Sequence, residues 1–568
     1  MRPADWYVFV GAVVLVVAYG LWRSRGSSSV NKYLLAGQTM PWYAMALSIM
    51  ATQASAITFI STPGQSYVDG MRFVQFYFGL PLAMVILSVT AVPIFHRAKV
   101  YTAYEYLEQR FDAKTRVLVS IIFLLQRGLA MGIALSAPAI VLSMTLGWPD
   151  HVTILFIGAL AVFYTSWRGV KAVMWTQFPF VFIMMLGLLV ALASALWRLP
   201  TGTGIVDAMT IAGAAGRVNP IVLDFSWNDR YNIWSGLFGG MFLALAYFGC
   251  DQSQVQRYLT GKSVAESRLS LLFNGIAKVP MQFFILLIGV VVFAFYTFEK
   301  PPVLFRADDL RRIEAAPEYA PIARSYDAAF ERRKQAAVEI VRTRRADGSG
   351  AQAGAVAEFR EAQKEFDAAR GRAIQLARRL SGGDFNDTNY VFLSFVLQYL
   401  PAGVVGLMLV MIFGAAMTSI SPEMNSLATV SVIDLYRRHF RKDATDDHYL
   451  AVAKVATLFW GTYAVVSGVL ARNLGSLVEA VNILGSLFYG GLLGVFVLAF
   501  FFKRVGGTAA FLGVLAGEAA IFASAILTTI SFLWYNVIGC LVVVGTALAL
   551  SSFAQPQPAN STPAPPMD

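Results

Sequence analysis

The residues with the clearest chemistry lie between Val410 and Tyr436, in VMIFGAAMTSISPEMNSLATVSVIDLY. The stretch opens as an apolar helix, then places Thr418, Ser419 and Ser421 just after Ala415. A hydroxyl in a hydrocarbon environment needs a partner, ordinarily a carbonyl of its own helix or of a neighbour. Two adjacent hydroxyls beside a carbonyl are also part of an oxygen cage for a small hard cation such as Na+. The missing oxygens have a source in a second polar interruption, Thr52, Gln53, Ser55 and Thr58 within SIMATQASAITFISTPG, Ser48–Gly64. Broken backbone at membrane depth is tolerated where it lines a site. Two cations also sit inside apolar runs: Arg127 in FLLQRGLAMG and Lys278 in NGIAKVPMQFF. An intramembrane charge points to function by default.

Such residues need a membrane scaffold. The chain has 568 residues, 57% hydrophobic and 14% charged, against about 25% charged in soluble domains. Apolar runs predict about 13 transmembrane helices, near 5–23, 41–63, 73–95, 116–146, 151–167, 171–197, 233–250, 269–298, 388–420, 448–471, 475–501, 507–528 and 531–553. The fold class is an all-α polytopic membrane protein. Loops on one side carry 20 Lys and Arg, and the short loops opposite carry 6. The positive-inside rule then puts the N-terminus outside and the C-terminus in the cytoplasm of a plasma (inner) membrane.

Trp6–Trp22 is followed by Arg23 and Arg25 with no small-residue cleavage site, which favours a retained first helix over a signal peptide. The net charge of +11 belongs with basic cytoplasmic loops and argues for no nucleic acid partner. Cys250 and Cys540 are too few and too distant for a disulfide framework. No paired carboxylates, nucleophile–base pair or phosphate loop stands out, so the chain reads as no enzyme. Residues 306–379 carry 16 basic and 12 acidic residues. They read as a solvated helical hairpin, 320–345 and 355–379, broken at DGSG. It is either a surface decoration or a place where an external protein partner docks.

The two polar interruptions together resemble the sodium:solute symporter family, which includes sodium–glucose, proline, monocarboxylate and multivitamin symporters. Further strings carry the resemblance: KYLLAGQ at Lys32–Gln38, Pro41-Trp42, YTAYEYLEQRFDAKTR at Tyr101–Arg116, and GCDQSQVQRYLTGKS at Gly249–Ser263. The resemblance implies an inverted five-helix-repeat (LeuT-like) transporter, coupling a small-molecule substrate to Na+ across the lipid bilayer. On that reading residues 1–30 hold the first transmembrane helix and 31–200 the first inverted repeat. Residues 201–302 start the second repeat, 303–387 are the external insertion, and 388–504 complete the repeat. Two C-terminal helices occupy 505–554, and 555–568 form a disordered tail. Each half opens with an interrupted helix, Ser48–Gly64 and Gly236–Gln252, and such pairs point to the substrate site.

Residue by residue, the resemblance implies an Na+ site of Ala51, Ala54, Ala415, Thr418 and Ser419, with Na+ as the coupling ion. It makes Tyr247 the inner gate, against the plainer reading of a packed tyrosine. It gives Arg127 an acidic partner in a Trp-Thr-Asp motif, but the chain has Trp175-Thr176-Gln177. The lost carboxylate argues against a second sodium. Lys278 matches a lysine of the sugar-carrying members, while their other sugar contacts fall on Tyr77, Ala244, Asn482, Ile57 and Thr58. A hexose needs several directed partners, because each buried hydroxyl left unpaired costs about 1–3 kcal/mol. Gln53, Thr58, Tyr77, Lys278 and Asn482 are the candidate substrate residues, and they suit a small carboxylate better than a sugar. A sodium-coupled sugar or amino-acid symporter, or a non-transporting sensor on the same scaffold, is the alternative.

Overall fold

The structure, a computed structural model, describes residues 2–23, 30–346, 349–382, 385–471 and 476–553. The predicted disordered tail and the Asp347-Gly348 part of the DGSG break lie outside them. In chain order the helices are α1 Pro3–Arg23, α2 Val30–Leu35, α3 Trp42–Gln53, α4 Ala56–Asp69, α5 Leu80–Val89, α6 Ala91–Ala98, α7 Ala103–Arg110, α8 Ala113–Leu146, α9 Asp150–Trp197 and α10 Ile205–Ala214. There follow α11 Gly240–Gly249, α12 Gln252–Tyr258, α13 Val264–Phe298, α14 Ala307–Glu314, α15 Tyr319–Arg345, α16 Ser349–Ser381, α17 Thr388–Tyr399 and α18 Val404–Val430. The last four are α19 Asp446–Ala471, α20 Leu477–Phe501, α21 Gly507–Leu527 and α22 Leu533–Phe553.

Ten helices among the described residues are long and apolar enough to cross a membrane, fewer than the 13 predicted spans. Helical backbone runs on where the sequence places loops. A 3-10 turn over Gly70–Tyr77 joins α4 to α5, and α9 continues through the predicted loop at 168–171. At 1.5 Å per residue, its 48 residues would span about 72 Å, over twice a hydrocarbon core of about 30 Å. Its apolar parts, Asp150–Phe163 and Val170–Trp197, are therefore two membrane segments. The predicted span 388–420 is divided into α17 and α18 by Pro401 and a left-handed Gly403 (φ 85°).

Local chemistry sets the helix ends. Asp112 caps α8 by accepting from Thr115 N at 2.9 Å, and Ser263 caps α13 by accepting from Glu266 N at 3.2 Å. Helix α4 stops at Gly70, whose φ is 75° and whose missing Cβ would lie 2.6 Å from the Arg217 carbonyl oxygen. Small residues let helices approach closely: a Cβ on Gly289 of α13 would overlap the Pro63 carbonyl of α4.

Helix α18 is buried along its length and packs against α9, α8, α1, α3 and α4. Helix α13 packs against α3, α4 and α5. The insertion holds the helical hairpin that charge alternation predicts, α15 and α16, with a buried inner face as well as a solvated outer one. Tyr326, Phe330, Phe366 and Leu376 form a core of its own. Within it, Arg370 Nη2 reaches both Asp387 oxygens at 2.7 Å. A salt bridge fixes it to the rest of the chain. Arg344 grips Asp207 Oδ1 at 2.6 and 2.8 Å.

Candidate functional site

The first broken helix parts at Ala54 (ψ 69°) and Ser55 (φ −74°, ψ 170°), between α3 and α4. Carbonyls near such a break lose helical partners and become available. The break lies against the middle of α18. Thr418 Oγ1 donates to Ala415 O at 3.0 Å and lies 3.3 Å from Ala51 O. Ser419 Oγ donates to Ala415 O at 3.0 Å. Ala51, Ala54, Ala415, Thr418 and Ser419 are all buried. The structure thus brings both hydroxyls and two of the three predicted carbonyl residues into direct contact. Ala54 sits at the break, its N–H on Met50 O at 2.8 Å. These oxygens are neutral. Among the described residues no group of His, Cys, Asp or Glu is arranged to hold a metal ion. A neutral set suits a monovalent hard cation better than a divalent one.

Gln177 of α9 closes this region. Ser48 Oγ donates to its Oε1 at 2.5 Å, and its Nε2 donates to Thr52 Oγ1 at 3.0 Å and Thr418 O at 2.7 Å. The amide therefore cross-links α3, α9 and α18 where the family motif has a carboxylate.

The predicted substrate residues converge only in part. Lys278 is fully buried on α13, with no hydrogen-bond partner for Nζ, which lies 5.7 Å from the Tyr77 ring centroid. Tyr77 stands edge-on to Phe76 at 4.8 Å. Thr58 Oγ1 lies 3.5 Å from Gln53 O, and Gln53 Oε1 is buried without a partner. Asn482 turns its amide to Val478 O of its own helix at 2.7 Å and makes no hydrogen bond to Lys278. Sequence reasoning missed two residues that flank the lysine. Asn274 and Gln282 are also fully buried, with Asn274 Oδ1 and both Gln282 amide atoms unpartnered. Spacing of four puts Asn274, Lys278 and Gln282 on one helix face, a stripe readable from the sequence.

Position 177 carries no carboxylate, and Arg127 takes its acidic partners from elsewhere in the chain. Its guanidinium binds Asp251 Oδ2 and the Tyr489 hydroxyl, and reaches Glu423 Oε1 at 3.1 Å. Tyr489 donates to Asp251 at 2.9 Å. Asp251 also caps α12, accepting from Ser253 N at 2.8 Å. Tyr247 lies beside this cluster, its ring 5.3 Å from the guanidinium and its hydroxyl accepting from Gln254 Nε2 at 2.7 Å.

Nearer the predicted cytoplasmic side, α7 is bound through Glu108 to Arg116 at 2.6 Å and Arg438 at 2.7 Å. Burial alone would raise the Glu108 pKa, but the hydrogen bonds from Arg438 and Arg116 outweigh it and hold the carboxyl below its ordinary range. A cavity of about 600 Å³ beside Trp197, Arg198, Glu299 and Tyr399 is remote from Lys278 in composition and place. Its Trp197 is 90% exposed, so it is a surface groove.

Comparison with known proteins places this geometry. The sequence model of the sodium:solute symporter family matches residues 33–304 and 370–517, and the interval it omits falls in the insertion. The sodium/sialic acid symporter of Aliivibrio fischeri is 26% identical, over 95% of this chain and 90% of its own. A sodium-coupled monocarboxylate transporter of Xenopus laevis is 24% identical, over 90% of this chain and 71% of its own. The structure of a substrate-bound, outward-open Na+-coupled sialic acid symporter superposes with a TM-score of 0.76 at 22% identity, covering 98% of this chain and 99% of that one. At that identity the likeness is one of fold.

Proposed function

The chain belongs to the sodium:solute symporter family, and from that premise we propose that it imports a small organic carboxylate together with Na+. It is a multi-pass, Na+-coupled membrane transporter and no enzyme. In the proposed cycle Na+ enters from outside and binds Ala51, Ala54, Ala415, Thr418 and Ser419, tying α3 to α18. That favours the substrate-ready form. Substrate binds beside Gln53, Thr58, Tyr77, Lys278 and Asn482, and the inner side opens past Tyr247. The membrane is the plasma (inner) membrane, with the N-terminus outside.

One observation carries the choice of carboxylate. Lys278 Nζ is fully buried and has no hydrogen-bond partner. A buried ammonium without a counter-charge is costly, and a carboxylate supplies both the charge and the acceptors. Tyr77 and Phe76 offer apolar cover for a short carbon chain, while the unpartnered amide atoms of Asn274 and Gln282 would pair with a hydroxyl or amide on it. Relatives named for sialic acid and for monocarboxylates support an acidic solute, and one named for glucose supports the alternative. Uptake by Lys278→Gln tests the reading. An anionic solute such as lactate should lose affinity by about tenfold or more, as for a hydrogen bond to a charged group. Untouched affinity, or competition by neutral sugars alone in the wild type, refutes it.

A further inference from the structure

The insertion does more than decorate the surface: it closes a second pocket, about 200 Å³ in volume. Its floor comes from the transporter core, Tyr67 and Val68 at the end of α4, Phe293 of α13, and Arg217. Its roof comes from the insertion, with Arg333, Phe366 and Arg370. Three guanidiniums thus line one small space. Arg370 is matched by Asp387 at 2.7 Å. The other two have no carboxylate within ion-pair distance; Asp367 also lines the pocket and accepts from Gln363 Nε2 at 2.9 Å, so three guanidiniums face two carboxylates and one positive charge is in excess. Arg333 is 1% exposed and spends its ends on neutral oxygens, Tyr296 O at 2.6 Å and Gln363 Oε1 at 3.4 Å. Arg217 binds the Tyr67 and Val68 carbonyls. The Nε of each is buried without a hydrogen-bond partner. Both lie over aromatic rings, Arg333 at 3.7 Å from Phe366 and Arg217 at 4.3 Å from Phe293.

Buried cations that are only partly satisfied favour an anion, and aromatic walls favour one with an apolar body. The volume lies below the roughly 300–1,000 Å³ of drug-sized pockets, so the ligand is small. We propose that the insertion and the helix ends beneath it form a binding site for a small organic carboxylate, separate from the site at Lys278. The carboxylate is held by Arg217 and Arg333, and its apolar part lies between Phe293 and Phe366. Because Arg217 also holds the terminal carbonyls of α4, this ligand sits on the outer half of the first broken helix.

The test is benzoate binding to the purified full-length protein by calorimetry, in sodium-free choline buffer so that the Na+-coupled site is not engaged. Wild type and Lys278→Gln should bind alike. Arg217→Gln should bind about tenfold more weakly or worse, the loss of one charged hydrogen bond. Val68→Glu guards against misfolding, because Val68 lines the pocket, is 43% exposed and takes no side-chain hydrogen bond with it, while the new carboxylate stands beside Arg217. It should keep the thermal midpoint and lose benzoate. No benzoate binding to the wild type overturns the proposal. So does equal binding by Val68→Glu, or binding lost in Lys278→Gln and kept in Arg217→Gln. Displacement of benzoate by chloride at the same concentration overturns the organic carboxylate in favour of an inorganic anion.

Discussion

Removing the hydroxyls of Thr418 and Ser419 one at a time tests the cation site most directly. Each substitution to Ala takes one neutral oxygen from a proposed set of five. A hydrogen-bond-like contact to a charged group is worth roughly 1.5–3 kcal/mol. At 1.4 kcal/mol per factor of ten, each loss should weaken apparent Na+ affinity by about 10- to 150-fold. The cost to folding is smaller. Both hydroxyls donate to Ala415 O at 3.0 Å, bonds of about 1 kcal/mol net, and that carbonyl stays within a helix. Expression should therefore hold. The double variant should lose sodium-dependent uptake, and the two losses should not simply add, because the residues share a partner. Thr418→Ser keeps the oxygen and should keep the affinity. The assay is initial uptake into proteoliposomes against external Na+, with Na+-induced thermal stabilisation as a readout that needs no substrate. Sodium-dependent uptake in the double variant at wild-type Na+ affinity would refute the site.

Gln177 occupies the carboxylate position of the family motif with a neutral amide already bonded to Thr52 and Thr418. One Na+ should therefore move per cycle, giving a hyperbolic dependence of initial rate on Na+; a reproducible Hill coefficient near two contradicts it. Orientation is read by cysteine labelling, since Cys250 and Cys540 are free and buried. Gly354→Cys, at a site with nothing within 4 Å of a new Cβ, should react with an impermeant maleimide from outside, and Lys262→Cys only after permeabilisation; the reverse pattern inverts the topology. Arg127→Gln leaves two carboxylates buried without their cation, a loss of about 3–5 kcal/mol. The thermal midpoint in detergent should fall clearly, and an unchanged midpoint contradicts the pairing with Asp251 and Glu423.

How far the sequence could be read depended on whether a residue's partner was local. Thr418 and Ser419 were legible because hydroxyls in an apolar helix stand out, and their shared acceptor lies one turn away. Arg127 stood out equally, but its partners did not, lying 124 and 296 residues distant. Only the packing of α18 against both α8 and α12 unites them. Asn274 and Gln282 were visible at four-residue spacing from Lys278, yet single polar residues on a long helix carry little signal until burial is known. The helical hairpin of the insertion was legible, but its seating was not. Its charges alternate as on a solvated helix, and nothing in that pattern marks Arg333 and Arg344 as the two that reach Tyr296 O and Asp207 of the transporter. The family resemblance was specific enough to give the all-helical transporter fold. The number of spans was harder, because helical backbone crosses several predicted loops.

Helix α18 carries both the hydroxyl pair and Glu423, and the bonds it makes along its length are unequal. At the hydroxyls it meets α3 through a neutral contact, Thr418 Oγ1 to Ala51 O at 3.3 Å. About one turn on, Glu423 shares Arg127 with Asp251. In the π-helical extension beyond it, Asp434 accepts from Arg116 Nε at 2.6 Å and Thr102 Oγ1 at 2.8 Å. On the proposed cycle, losing the cation would weaken the α3 contact while the ionic contacts of α18 with α8 persist. The proposed opening of the inner side past Tyr247 would ask something more of the cluster. Asp251 caps α12, so moving α12 away from α8 must part Asp251 from Arg127. A guanidinium stripped of its counter-charge in that setting would be very costly. Glu423 removes the difficulty, because it remains on α18 beside Arg127 and keeps the charge compensated as Asp251 departs. Two carboxylates on one arginine thus make sense as a contact that can be half released, and the retained half lies on the helix that also carries the proposed cation site.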